Sequence, residues 1–424
     1  MTHSNPSIAR LKGHRTARLR WNHALAKRLI LKTLFRLEQG CLRLHDGDEL
    51  YEFGQPAEKA DLVADLHVHN PMAYAEVAFG GSVGAGEAYM SGYWSTPDLT
   101  RVTRLFVSNL PALDAMNARQ SVLGKSFLKA FRLMNRNTKE GARRNIAAHY
   151  DLGNDFFRLF LDPSMMYSSA IYPSAESTLE EAAQHKLKRI CEKLELTPRD
   201  HLLEIGTGWG GLSMYAARHY GCRVTTTTIS RAQWEHATQA VRAAGLENRV
   251  TVLFDDYRDL TGQYNKLVSV EMIEAVGHEH FREYFERCSR LLTDDGLMLL
   301  QAITISDQRY ETSRKHVDFI QRYIFPGGSL PSVSLMTDLM HRATDMNLLH
   351  LEDIGQHYAR TLRDWRSAFE GQLNKVRAMN FDERFIRMWR YYLCYCEGGF
   401  LERSIGTAQL LMARPMYRPA VGER

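Results

Sequence analysis

From about residue 200 onward, short apolar runs alternate with longer mixed stretches. Leu202-Leu203-Glu204-Ile205 reads as a strand, followed by a glycine-rich turn and a helix through Tyr220. The β-branched run 223–228 predicts a second strand, and a helix runs from about Arg231 to Ala244. Residues 250–254 and 266–270 predict two more strands. A helix over about 279–292 precedes a fifth strand at 296–304, and 348–352 and 408–412 suit later strands. This alternation predicts an α/β fold, a doubly wound and mostly parallel sheet with helices on both faces. The interval 305–347 exceeds an ordinary connection and is expected to carry a lid or substrate wall.

Upstream the pattern changes to a smaller α+β module over residues 37–120. Leu42-Arg43-Leu44 and Leu66-His67-Val68 suit short strands, with His45-Asp46-Gly47-Asp48 a turn. Gly80-Gly81 and Gly84-Ala85-Gly86 are expected to punctuate the rest, and Asp98-Leu99 to start a helix. Nothing here concentrates catalytic residue types, so substrate handling or dimerisation is expected, with a homodimer as the assembly.

Charge changes the picture at the N-terminus, residues 1–36. Up to Arg36 every ionised side chain is basic: Arg10, Lys12, Arg15, Arg18, Arg20, Lys27, Arg28, Lys32 and Arg36. Trp21, Leu25, Leu29, Leu34 and Leu37 recur at helical spacing beside a basic stripe of Arg28, Lys32 and Arg36. Such a helix suits an anionic membrane surface, nucleic acid, or ordinary docking with a solvated face. A second basic stretch, Lys125, Lys129, Arg132, Arg136, Lys139, Arg143 and Arg144, is interleaved with Phe127, Leu128, Phe131 and Met134. It predicts a helical linker over 121–144.

Composition excludes several classes. The chain has 424 residues, 44% hydrophobic and 24% charged, with a formal charge of +5, which fits two or three globular domains. It contains no apolar run long enough to span a bilayer and no export-signal pattern at the start. Six scattered cysteines lack zinc spacing, so no metal site is expected and a reducing cytoplasm is.

Gly206, Gly208 and Gly211 satisfy G-x-G-x-x-G after a strand, which raises a nicotinamide or flavin nucleotide. That reading needs an acid closing the second strand, which here ends Thr225-Thr226-Thr227-Thr228-Ile229-Ser230. The acid is instead Glu204, inside strand one, and Glu-x-Gly-x-Gly-x-Gly resembles the first motif of class I S-adenosylmethionine methyltransferases. His149-Tyr150-Asp151-Leu152-Gly153-Asn154-Asp155-Phe156-Phe157, Met166-Tyr167-Ser168-Ser169-Ala170 and Thr228-Ile229-Ser230-Arg231-Ala232-Gln233 extend the likeness. Glu274-Ala275-Val276-Gly277-His278, Phe325-Pro326-Gly327-Gly328-Ser329-Leu330-Pro331-Ser332 and His357-Tyr358-Ala359-Arg360-Thr361-Leu362 complete it. Together these resemble the cyclopropane fatty acid synthase and mycolic acid methyltransferase family over residues 145–415. Gly86-Glu87-Ala88-Tyr89-Met90-Ser91-Gly92-Tyr93-Trp94 resembles the N-terminal domain of its full-length, phospholipid-modifying members.

The resemblance implies a Rossmann-like class I domain that binds S-adenosylmethionine. Tyr167 and Ser168 would meet its methionine portion, and Gly206 and Gly208 would pass beneath it. Thr228 and Gln233 would lie at the ribose, and Asp256 and Tyr257 at the adenine. It also implies a bicarbonate ion as catalytic base, held at positions that here are Ser169, Glu274, Gln301, Ile303 and Tyr358. Ser169 and Gln301 replace the family's Cys and His, with hydroxyl and amide donors in their place. Aromatic rings at Phe319, Tyr323 and Phe325, and at Trp389, Tyr391, Tyr392, Tyr395 and Phe400, are candidates for an acyl channel or for facing positive charge. The implied reaction is alkylation of cis double bonds in phospholipid acyl chains, giving a cyclopropane or a methyl- or methylene-branched product. A non-catalytic lipid-binding protein on the same fold is the alternative of another class. No nucleic-acid partner is expected, and the expected place is peripheral, on the inner face of the cytoplasmic membrane.

Overall fold

Gly47, at φ 62°, turns the chain between β1 (Cys41–Asp46) and β2 (Glu49–Gly54), which pair antiparallel. The computed structural model describes residues 24–111, 113, 135, 137–150 and 152–419, without side chains at 147–150. Trp21, most of the second basic stretch, Asp151 and the side chains of His149 and Tyr150 therefore lie outside the described residues. The chain divides into two compact units, Met1–Phe127 with Asp382–Gly398, and Leu128–Phe381 with Gly399–Arg424. Residues 382–398, with Trp389, Tyr391, Tyr392 and Tyr395, thus fall in the first unit, inside the span expected to be catalytic.

In the first unit β3 (Val63–Val68) runs parallel to β1, and β4 (Trp94–Ser95) closes a four-stranded sheet in the order β2-β1-β3-β4. The glycines at 80–86 do not separate elements. They lie in a helix, Met72–Met90, kinked at Gly81. A Cβ on Gly84 would collide with the Glu76 carbonyl oxygen, so close backbone approach explains that glycine. The helix Leu99–Ser108 starts where expected, with the Asp98 carboxylate accepting from the Arg101 N–H at 3.0 Å. The N-terminal helix over 24–34 buries Ala26, Ile30 and Leu34, and Leu37 is buried just beyond it, whereas Leu25 and Leu29, expected on its apolar face, are 56% and 49% exposed.

The second unit is built on seven strands in the order β10-β11-β9-β8-β5-β6-β7. These are β5 (His201–Ile205), β6 (Arg223–Thr227), β7 (Val250–Leu253), β8 (Tyr264–Val270), β9 (Leu292–Ile305), β10 (Asn347–Asp353) and β11 (Ile405–Ala413). Strands β5 to β9 are mutually parallel, and β11 inserts antiparallel between β9 and β10. Because side chains alternate along a strand, Leu202, Leu297 and Leu299 pack to one face, and Leu203, Met298 and Leu300 to the other. The helices Leu179–Lys193 and Gly211–Tyr220 cover the first face; Phe281–Leu291 and Val333–Ala343 cover the second. Thr178 and Glu181 form a capping box that fixes where the first of these helices begins. The interval 305–347 carries three helices, Asp307–Ser313, Phe319–Tyr323 and Val333–Ala343. No described helix is long and apolar enough to cross a membrane.

Candidate active site

Strand β5 delivers its chain into the 206–211 turn at the carboxyl edge of the sheet, where doubly wound folds bind ligands. Gly206, Gly208 and Gly210 have φ of 102°, 53° and 92°, conformations that side chains disfavour. The Gly206 and Thr207 N–H groups donate to the Thr227 carbonyl at 3.0 and 3.1 Å, locking the turn to β6. Beneath it Glu204, 3% exposed, accepts from Thr226 Oγ1 at 2.6 Å, and burial pushes its carboxyl up to about 7. The glycines serve different needs. A Cβ on Gly211 would lie 2.5 Å from the Ser164 carbonyl oxygen, so that glycine seats the helix against the chain. A Cβ on Gly208 would meet nothing, which leaves open space over the turn.

Of the expected cofactor residues, Gly206, Gly208, Thr228, Asp256 and Tyr257 follow the ends of β5, β6 and β7, and Tyr167 and Ser168 come from the segment before the helix Leu179–Lys193. The Tyr167 ring packs against Phe157 and Trp365, at 5.2 Å between centroids in both cases, and Phe157 packs against Trp209 of the turn. Ser168 accepts from the buried Lys186 ammonium at 2.6 Å. Thr228 donates to Gln233 Oε1 at 3.0 Å, which aims the Gln233 NH2 elsewhere. Asp256 is closed on Arg258 by bonds of 2.8 and 2.7 Å. Burial raises the Asp256 carboxyl, but the Arg258 bonds outweigh it and hold the group below its usual range. Its neighbour Tyr257 has a buried hydroxyl with no hydrogen-bond partner. The open left-handed Gly208, the adjacent hydroxyl and amide groups and this orphaned hydroxyl fit a nucleoside-bearing methyl donor.

The five residues expected to cradle an anion do converge on one place, but they are occupied by the protein itself. Glu271, which the sequence reading passed over, directly follows β8 in a left-handed conformation at φ 49°. Its Oε1 accepts from the Ser169 backbone N–H at 2.9 Å and from Gln301 Nε2 at 2.7 Å, and its carboxylate also takes the Tyr358 hydroxyl. The Ser169 hydroxyl, expected to face the anion, donates instead to the Ala170 carbonyl at 3.0 Å. The Ile303 N–H donates to Glu274 Oε1, while Glu274 Oε2 is buried without a partner. Burial and then the neighbouring Glu271 charge push the Glu274 carboxyl up to about 8. Burial also raises Glu271, opposed by Lys186, Gln301, Ser169 and Tyr358. Glu271 has three donors and the Lys186 charge, whereas Glu274 has only two backbone N–H groups, its own and that of Ile303, so the negative charge belongs to Glu271 and the proton to Glu274.

The orientation of Gln301 follows from a chain of donors. The Lys193 ammonium, which can only donate, reaches Gln409 Oε1 at 2.6 Å and Glu352 at 2.5 Å. Gln409 must then offer its NH2 to Gln301 Oε1, at 2.9 Å, and Gln301 its NH2 to Glu271. The register of β11 on β9 places Gln409 opposite Gln301. From the 305–347 interval, the Ser329 N–H donates to the Glu274 carbonyl at 2.8 Å, so this segment walls the site. Phe400 stacks on Tyr358 at 4.6 Å between centroids, and Phe325 packs near Tyr167 at 6.4 Å.

The strand order, the glycine turn and the open space over it define a class I S-adenosylmethionine methyltransferase fold. The mycolic acid cyclopropane synthetase family model matches residues 137–410, and the chain belongs to that family. It is 37% identical to the tuberculostearic acid methyltransferase of Mycobacterium tuberculosis, over 92% of this chain and 91% of that one. It is 39% identical to the cyclopropane-fatty-acyl-phospholipid synthase of Escherichia coli strain K12, over 83% of this chain and 88% of that one. Among solved structures, a mycolic acid cyclopropane synthase complexed with SAH and CTAB superposes with a TM-score of 0.60 at 32% identity. It covers 64% of this chain and 98% of that one.

Proposed function

We propose that the protein transfers the one-carbon group of S-adenosylmethionine to the cis double bond of unsaturated acyl chains in membrane phospholipids, closing it to a cyclopropane ring. As a methyltransferase of this family it uses S-adenosylmethionine, which supplies an electrophilic methyl group. The observation that carries the reading is that the cofactor turn touches the carboxylate site. A Cβ on Gly206 would lie 3.2 Å from Met272, the residue between Glu271 and Ile273 in the loop that also holds Glu274. An isolated alkene is a poor nucleophile, so the chain must exclude water, face positive charge with aromatic or anionic groups, and accept a proton. Tyr167, Tyr358, Trp365 and Phe400 supply rings beside a buried carboxylate pair. The name and long match of the E. coli relative support phospholipid as substrate.

The enzyme would meet those lipids as a peripheral protein on the cytoplasmic membrane, in keeping with its N-terminal helix. Leu25, Leu29 and Phe35, the last 72% exposed, share the outward side with exposed Arg28, Lys32 and Arg36. Apolar and cationic groups exposed together suit a lipid headgroup boundary. The test of the reaction is mass spectrometry of lipids after incubation of enzyme, S-adenosylmethionine and unsaturated phospholipid vesicles. A gain of CH2 as a ring is expected. A gain as a methyl or methylene branch would overturn the ring, and no cofactor-dependent gain would overturn the reaction.

A further inference from the structure

We propose that Glu271 is itself the base of the reaction, its tethered carboxylate standing where the family resemblance implies a separate bicarbonate ion. The inference rests on the alkene alkylation read above. Ser169, Gln301 and Tyr358 converge on Glu271, and the Ile303 N–H is taken by Glu274, so this donor set does not fit a further anion.

Three independent observations aim the carboxylate. The left-handed backbone at Glu271 is a conformation that side chains other than glycine, Asn and Asp rarely adopt, and such strain gathers at functional sites. The Lys193–Gln409–Gln301 chain leaves Gln301 able only to donate toward Glu271, which favours its ionised form. The next residue, Met272, abuts the turn that would hold the methyl donor. Glu274, carrying the proton, stands beside it as a neutral neighbour.

In the step assigned to Glu271, the methyl group has already bonded to one former alkene carbon, leaving the adjacent carbon cationic. The carboxylate takes one proton from that methyl group. The electron pair of the broken C–H bond forms the new C–C bond to the cationic carbon, closing the ring. Glu271 ends as the neutral acid and returns its proton to solvent, so atoms and charge balance without another reactant.

The test uses the full-length enzyme with S-adenosylmethionine and unsaturated phospholipid vesicles in buffer freed of carbon dioxide. Wild-type turnover is expected to stay within twofold of its value with added bicarbonate. Glu271→Gln should lose about 100-fold or more, the usual reach of a positioned base, with cofactor affinity and melting temperature kept. Glu271→Ala should regain turnover when bicarbonate or formate is added. Calorimetric titration with bicarbonate is expected to show no saturable binding to the wild type and binding to Glu271→Ala. A tenfold fall of wild-type turnover on carbonate removal, saturable bicarbonate binding to the wild type, or an active Glu271→Gln enzyme would each overturn the proposal. If the wild type alkylates no lipid, the reaction read above fails, while the titration still decides whether Glu271 fills the anion position.

Discussion

Glu274 and Glu204 make the protein's stability depend on pH in a direction opposite to that of salt-bridged carboxylates. Both have folded-state values raised, to about 8 and about 7, above the ordinary 4.5. The folded chain therefore holds these protons more tightly than the unfolded chain. Their contribution is complete below about pH 4.5 and is lost as pH rises through about 7 and then 8, by at most ~1.4 kcal/mol per pH unit for each group. Thermal melts between pH 6 and 9 should show this decline, and Glu274→Gln should flatten its upper part. Because Glu274 carries its proton, the same neutral substitution should cost less turnover than Glu271→Gln. An equal or larger loss would move the base to Glu274. Gly208→Val should weaken S-adenosylmethionine binding at least about tenfold in calorimetry. The branched side chain would enter the open space over the turn, and the left-handed backbone adds ~1–2 kcal/mol of strain. Undiminished affinity would place the cofactor elsewhere.

The pairing of β9 with β11 acts on chemistry through Gln409, a positioning residue. Gln409→Leu keeps the packed volume but frees the Gln301 amide to turn its oxygen toward Glu271. Loss of a bond of this kind is worth about 1 kcal/mol, or about fivefold. The expected result is a lower kcat with an unchanged KM for S-adenosylmethionine, and a basic shift in the pH–rate profile. A change in melting temperature alone, with the profile unmoved, would leave Gln409 as simple packing. The strands were legible because their apolar runs are short and bounded by turn residues, as at 202–205 and 266–270. Glu271 was not, since in Val-Glu-Met-Ile-Glu it reads as one more acid and its significance comes from a backbone angle. An acid at the end of a central parallel strand, three residues before the expected Glu274, was the available signal. Gly84 misled for a related reason, because the tight approach to Glu76 that requires it occurs inside a helix.

Packing overrides local pattern where the two units divide the chain. Residues 382–398 lie inside the stretch expected to be catalytic yet join the first unit, where the Arg387 guanidinium donates to the Trp94 carbonyl at 3.0 Å and Thr100 to Glu397 at 2.9 Å. Helical spacing at Leu25 and Leu29 left a membrane-facing and a docked helix both open; these leucines face outward, Ala26 and Ile30 turn inward, and Lys27 is drawn to Asp46 and Glu49, each at 2.7 Å. The outward leucines then become a membrane prediction. The full chain should sediment with anionic vesicles in a salt-sensitive manner, each exposed Lys or Arg contributing about 1 kcal/mol near the surface. Leu29→Asp with Phe35→Asp should weaken sedimentation severalfold while leaving cofactor affinity intact. Equal binding to neutral and anionic vesicles at all salt concentrations would return the helix to a purely architectural role.

The left-handed turn at Glu271 sets activity and durability against each other. Glycine would adopt that angle freely, relieve about 1–2 kcal/mol of strain, and remove a charge from a poorly hydrated place, with water serving the three vacated donors. Glu271→Gly is therefore expected to melt at a higher temperature than the wild type while turning over far more slowly. A selection for thermal robustness without an activity screen would find this position early, and the sturdiest descendants of this chain would be idle ones.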